Sequence, residues 1–176
     1  GAYMIFLLKR NWFSLDQTEG DVLQPEVWTP EWDKAKALVV LDIREVPFEI
    51  IDGNCQGYAK RGVRDVAVNP VGAMQWKTLF HEVAHHLLGH TATGDETGVM
   101  ADGPTMPKCI KEAEAEATAY LCCATLGLPG MEESRGYIQS WLDGKEFPEK
   151  SARRVFSAAD KILKAGTQAL KEVAMR

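Results

Sequence analysis

All four histidines of this 176-residue chain fall between positions 81 and 90, in the run His81-Glu82-Val83-Ala84-His85-His86-Leu87-Leu88-Gly89-His90. The run contains the spacing H-E-x-x-H, which has chemical meaning only on a helix. Four residues of α-helix turn about 400° and rise about 6 Å, so His81 and His85 share one face and can chelate one ion. Zinc accepts imidazole nitrogen at about 2.0–2.1 Å, and a catalytic zinc site keeps one position open for water. Glu82 lies about 100° further round such a helix, where it can reach that water without ligating the metal. The competing reading is an amphipathic helix that happens to expose histidines. The local signals favour the metal: Asn69-Pro70 reads as a helix start, the helix is expected to run to about Leu88, and Gly89 suits a left-handed exit.

Two histidines do not complete a zinc site, so a third protein ligand is required. His90 sits at or beyond the expected helix end, and His86 faces away from the pair; both rank low. The run Lys111-Glu112-Ala113-Glu114-Ala115-Glu116-Ala117-Thr118-Ala119-Tyr120 offers three glutamates on the next helix, with small alanines that allow close approach. First-turn acidic residues are also ordinary surface charge, favoured by the helix dipole. One glutamate is expected to be the ligand. Glu114 ranks first, because Thr118 at i+4 could orient a metal-bound histidine; Glu116 follows and Glu112 is third.

The rest of the chain predicts an α+β fold: a small twisted N-terminal sheet, the H-E-x-x-H helix, and a helical C-terminal half. Residues 3–8 read as a strand, and Thr29-Pro30 opens a helix with Trp32, Ala35, Leu38 and Val39 on one face. Val46 to Ile51 reads as a second strand. Gly53, Gly57 and Gly62 punctuate a hairpin with arms 56–60 and 63–69. The arm 63–69 could offer its edge to an extended peptide. Residues 89–108 lack apolar periodicity and read as a long functional loop. Helices are expected from about Pro107 to Leu126, around Tyr137, Ile138, Trp141 and Leu142, and over roughly 148–174. The last carries Val155, Phe156, Ala159, Ile162, Leu163, Leu170 and Val173 as a core stripe. No linker divides the chain, so residues 1–176 are expected to form a single domain.

Partners and compartment follow from charge and cysteine usage. Twenty Lys and Arg against 25 Asp and Glu give a net charge of −5, which argues against nucleic-acid binding by this chain alone. The apolar run near residue 5 is too short to span a bilayer and lacks the layout of a secretory leader. Cys55, Cys109, Cys122 and Cys123 show no C-x-x-C spacing and read as buried free thiols of a reducing cytoplasm.

Taken together, several segments resemble the metallopeptidase domain of ArdC-type antirestriction proteins. They are Phe13 with Asp16-Gln17-Thr18-Glu19-Gly20, Gly53-Asn54-Cys55-Gln56-Gly57-Tyr58-Ala59 and Val66-Ala67-Val68-Asn69-Pro70. Thr78-Leu79-Phe80-His81-Glu82-Val83-Ala84-His85, Leu88-Gly89-His90-Thr91, Glu114 to Tyr120, and Tyr137-Ile138 with Trp141 continue the likeness. More distantly, the pattern is similar to ImmA/IrrE-type peptidases, which often have asparagine where Thr118 stands. The resemblance implies a zincin-like fold and zinc held by His81, His85 and a glutamate of 112–116. It also implies a setting in mobile-element transfer, acting in the cytoplasm. ArdC-type proteins carry a separate N-terminal single-stranded-DNA-binding domain, to which nothing in these residues corresponds.

The expected activity is peptide-bond hydrolysis of a protein or peptide substrate, with Glu82 activating water. The alternative is a non-catalytic, zinc-stabilised binding module associated with a DNA-binding partner or with a DNA-binding domain outside these residues. Tyr58 and Tyr120 are conceivable oxyanion donors.

Overall fold

In a computed structural model, which describes residues 31–49, 54–92, 106–144 and 146–167, the hairpin expected between 56 and 69 forms. Strand β2 (Gly57–Ala59) runs antiparallel to β3 (Asp65–Val68), with Tyr58 opposite Ala67. Strand β1 (Arg44–Glu45) pairs with β3 in parallel on its other side, so the order is β1-β3-β2. β3 is therefore the middle strand. The edge that the arm 63–69 was expected to offer belongs instead to β2, which pairs only with β3 among the described residues. Of the strand expected at Val46–Ile51, residues 50 and 51 lie outside the described residues and 46–49 are not strand; the strand formed here is Arg44–Glu45. Val46 N–H still donates to Val66 O at 2.9 Å, but Pro47 has no N–H with which to extend the ladder. Arg44 grips Asp65 with two hydrogen bonds of 2.9 Å, tying β1 to β3.

The expected strand at 3–8 and the Thr29-Pro30 helix start lie outside the described residues. Helix α1 (Lys34–Val40) begins at an Asp33 cap, whose carboxylate accepts the Lys36 N–H at 2.9 Å. Its buried side is Ala37 and Leu38; Ala35 and Val39, expected on the inner face, are exposed. Two turns of helix can turn only one narrow side toward α5 (Glu149–Thr167), and Trp32 fills the space before the first turn. The Trp32 indole donates to Ile162 O at 3.0 Å and meets Phe80 edge to face, with ring centroids 5.1 Å apart.

Helix α2 (Gln75–Leu87) carries the histidines and starts later than Asn69-Pro70 suggested. Asn69 closes the hairpin ladder through its N–H to Gln56 O at 2.8 Å, and its side chain caps a turn by accepting Val71 N–H at 3.0 Å. That Asx turn carries the chain from sheet to helix. The exit is as expected, with Gly89 at φ +73°.

Helix α3 (Lys108–Thr125) is the central element, packed against α2, α4 (Met131–Leu142) and α5. Because neighbours cover it on several sides, adjacent Cys122 and Cys123 are both buried, while Ala113, Ala115 and Ala119 bring the neighbouring helices close. Burial pushes the Cys123 thiol up to about 11. Cys55 and Cys109, expected to be buried, are only half-buried, and all four thiols are free. In the core, Phe80, Leu79, Val83, Val66, Leu38 and Ile162 pack with the two cysteines. On α5, Val155, Ala159 and Ile162 face inward. Phe156 does not join the expected stripe: it is 64% exposed, one residue round from the face that meets α3 and α1. Leu170 and Val173 lie outside the described residues. Five helices and a three-stranded mixed sheet thus make an α+β arrangement among the described residues, and no helix there is long and apolar enough to cross a membrane.

Candidate metal centre

His81 and His85 stand one turn apart on α2, and their Nε2 atoms come within 3.1 Å of each other. The Oε2 atom of Glu112, in the second turn of α3, lies 3.4 Å from His81 Nε2 and 3.6 Å from His85 Nε2. These residues form a group that could hold a metal ion. The separations test the fit. A tetrahedral ion with bonds of about 2.0–2.1 Å places its ligand atoms about 3.3–3.4 Å apart, which the three observed distances bracket. Two imidazoles and one carboxylate are also a donor set that suits zinc.

The carboxylate that joins the histidines is Glu112, where Glu114 and then Glu116 were expected. Alternate residues on a helix point about 200° apart, so the three glutamates cannot all face α2 alike. Glu116, one turn beyond Glu112, accepts from His81 Nδ1 at 3.0 Å and pairs with Lys77 Nζ at 2.7 Å. Glu114 turns toward α5 and the end of α2. It is fully buried, 2.9 Å from His90 Nε2 and 3.5 Å from Arg154 Nη2. Thr118, invoked to orient a histidine, donates instead to the Glu114 backbone carbonyl at 2.9 Å.

The other histidines have separate tasks. His90 bridges Glu114 to His85, its Nδ1 lying 2.9 Å from His85 Nδ1. His86 points away, as expected, between Asp65 O and Thr91 Oγ1, each at 2.9 Å. Tyr58 donates to Pro47 O at 3.4 Å, and Tyr120 accepts from Arg135 at 3.2 Å, so both hydroxyls have partners of their own.

Charge in the centre is set by burial and by these partners. Burial alone depresses the His81 imidazole, but hydrogen bonds to Glu112 and Glu116 outweigh it and raise it to about 9. His85, lacking so strong an anionic partner, is depressed by burial. The His81 imidazolium, with the His85 ring beside it, holds the Glu112 carboxyl well below the usual carboxylate range. Burial pushes Glu82 up to about 7, with the Glu112 charge adding to the rise while His81 and the Ala59 backbone N–H oppose it. Without metal, then, His81 is an imidazolium whose Nε2–H points at His85 and Glu112, and a metal ion must displace that proton.

Glu82 owes its place to a glycine. A Cβ on Gly57 would lie 2.5 Å from Thr78 Cγ2, 2.9 Å from Ala67 O and 3.2 Å from Glu82 Cγ, so only glycine lets β2 lie this close to α2. Gly57→Ala is expected to lower stability by about 1–3 kcal/mol, as overpacking does, and Thr78→Ser in the same chain is expected to recover part of it. Urea unfolding of the three proteins checks this; an unchanged midpoint in Gly57→Ala would mean the two elements are not in close register.

Sequence reasoning passed over Lys77, Arg154 and Ser151. Lys77 is legible in hindsight as the residue one turn before His81. Arg154 and Ser151 arrive from α5 and carry no local signal. No family model, curated protein or solved structure matches this chain.

Proposed function

We propose that the protein is a zinc-dependent peptidase of zincin-like fold, with the metal held by His81, His85 and Glu112 and with Glu82 as general base. The observation that carries this reading is the convergence of those three ligand atoms at tetrahedral separations beside a buried, proton-ready carboxylate. A zinc ion bound there would polarise the scissile carbonyl and lower the pKa of water. Glu82 takes the proton from the attacking water and passes it to the leaving amine; a carboxylate raised to about 7 suits both transfers near neutral pH. The edge of β2 beside Glu82 is suited to an extended peptide, whose backbone would add to the strand. Among the described residues only three ligand atoms converge, whereas a structural zinc is closed by four; this favours catalysis over a zinc-stabilised binding module. The resemblance to ArdC-type domains extends the reading to a cytoplasmic peptidase of mobile elements.

Metal content measured by mass spectrometry, on protein purified without added metal, tests the reading. The parent is expected to hold near-stoichiometric zinc and His85→Ala none. A parent that takes up no zinc even when it is offered would overturn it.

Zinc uptake is also expected to release protons. Below pH 9 His81 must give up its Nε2 proton to become a ligand, so about one proton leaves per ion at pH 8. Below pH 7 the release rises toward about two, because Glu82 is then protonated as well and a nearby cation displaces its proton. Affinity accordingly falls as pH is lowered from 9. Calorimetry in buffers of different ionisation enthalpy counts the protons; none released at pH 8 would mean that metal-free His81 is not held as an imidazolium.

A further inference from the structure

Behind the three converging atoms lies a second histidine–carboxylate pair that the proposed hydrolysis does not use. His90 follows the left-handed Gly89, and its side chain is only 2% exposed. Both of its ring nitrogens are engaged, Nδ1 with His85 Nδ1 and Nε2 with Glu114 Oε2, each at 2.9 Å. Two facing ring nitrogens at that distance share one hydrogen, and the chain of partners decides which one carries it.

The decision starts at Glu114. Arg154 Nη2 is 3.5 Å from its Oε2, and the Ser151 hydroxyl lies beside it. A buried carboxylate among such donors is ionised and can only accept. His90 Nε2 therefore carries a hydrogen, and the Nδ1 of the neutral ring is a bare acceptor. His85 must then donate from Nδ1, which leaves the lone pair on its Nε2, the atom that faces His81 and Glu112.

We propose that His90 and Glu114 are positioning residues that lock His85 in the Nδ1–H form, with its Nε2 lone pair aimed at the metal position. The inference rests on the metal reading above. It gives His85 the counterpart of what Glu116 does for His81, through an imidazole instead of a direct carboxylate contact. Three elements converge on the pair. His90 leaves the end of α2, Glu114 belongs to α3, and Arg154 comes from α5. Arg154 also donates to the Leu88 carbonyl and so pins the helix end from which His90 departs. Partners of this kind fix ring orientation and ligand basicity, and their loss costs about 10–100-fold in metal affinity.

Long-range nitrogen–proton NMR of the histidines, recorded without metal, reads the forms directly, and competition with a chelator reads zinc affinity. In the parent, His90 is expected to be protonated on Nε2 alone and His85 on Nδ1. His90→Phe fills the ring space without an acceptor; zinc affinity should fall about 10–100-fold and His85 should populate its Nε2–H form. His90→Asn can place its amide oxygen where Nδ1 stood and is expected to restore most of the affinity. A parent His90 protonated on Nδ1, or a folded His90→Phe with parental zinc affinity, would overturn the proposal. If His90→Phe does not fold, the parent spectrum decides alone. If the parent takes no zinc, the metal reading fails separately, and the metal-free spectrum still shows whether the pairing exists.

Discussion

Glu82→Gln is expected to reduce kcat for peptide hydrolysis by about 10²–10⁴-fold, the range that a positioned general base contributes, while zinc stoichiometry stays at the parental level. Glutamine keeps the shape and can still accept the Ala59 N–H, but it cannot take a proton from water. The same substitution carries a second signature, in stability. With its carboxyl raised from 4.5 to about 7, folded Glu82 in the metal-free protein binds more protons than the unfolded chain between those pH values. Stability therefore falls as pH rises through that window and stays lower above it. The neutral glutamine escapes this loss, so metal-free Glu82→Gln should be more stable than the parent above pH 7 and should lose that advantage below pH 4.5. Rate assays on zinc-loaded protein and denaturation in the presence of a chelator check the two halves. Parental kcat in Glu82→Gln would remove Glu82 from the mechanism.

Glu112→Ala is expected to weaken zinc binding by more than about 100-fold, beyond the upper end of what an orienting partner contributes. Its side chain is 21% exposed, and its loss also takes from His81 a partner that holds the imidazolium, so the metal-free variant is expected to melt below the parent at neutral pH while still folding. Two histidines alone leave an ion with too few protein ligands, and removing the carboxylate also removes a negative charge that offsets the ion. Chelator competition on the variant and the parent measures the effect. Near-parental affinity in Glu112→Ala would mean that the third ligand lies elsewhere in the chain.

The difference between Glu112 and the expected Glu114 shows where local reasoning stops. Three glutamates at alternate positions have nearly equivalent local surroundings, and each could be a ligand or a surface charge. What separates them is the direction from which other helices approach α3. Glu112 and Glu116, one turn apart, meet α2, whereas Glu114 meets Ser151 and Arg154 of α5. The pairing of half-buried Lys77 with Glu116 and of half-buried Arg154 with Glu114 also explains how a helix can hold these buried carboxylates inside the fold. The same logic covers Phe156, Ala35 and Val39. Periodicity identified helices, but the width of the buried stripe depends on how many neighbours each helix has.

The H-E-x-x-H geometry, the left-handed exit at Gly89, the hairpin at 56–69 and the bounds of α3 were legible in the sequence. Each depends on interactions within a few residues: helix pitch, glycine at positive φ, and alternation along neighbouring strands. Four other features appear only when distant segments pack together. These are the choice of Glu112, the pairing of His90 with Glu114, the middle position of β3, and the close seat of Gly57 against Glu82. The physical reason is range: local propensity and periodicity act over one or two turns, whereas ligand direction is decided by contacts such as His81 with Glu116, 35 residues apart, and Leu88 with Arg154, 66 residues apart.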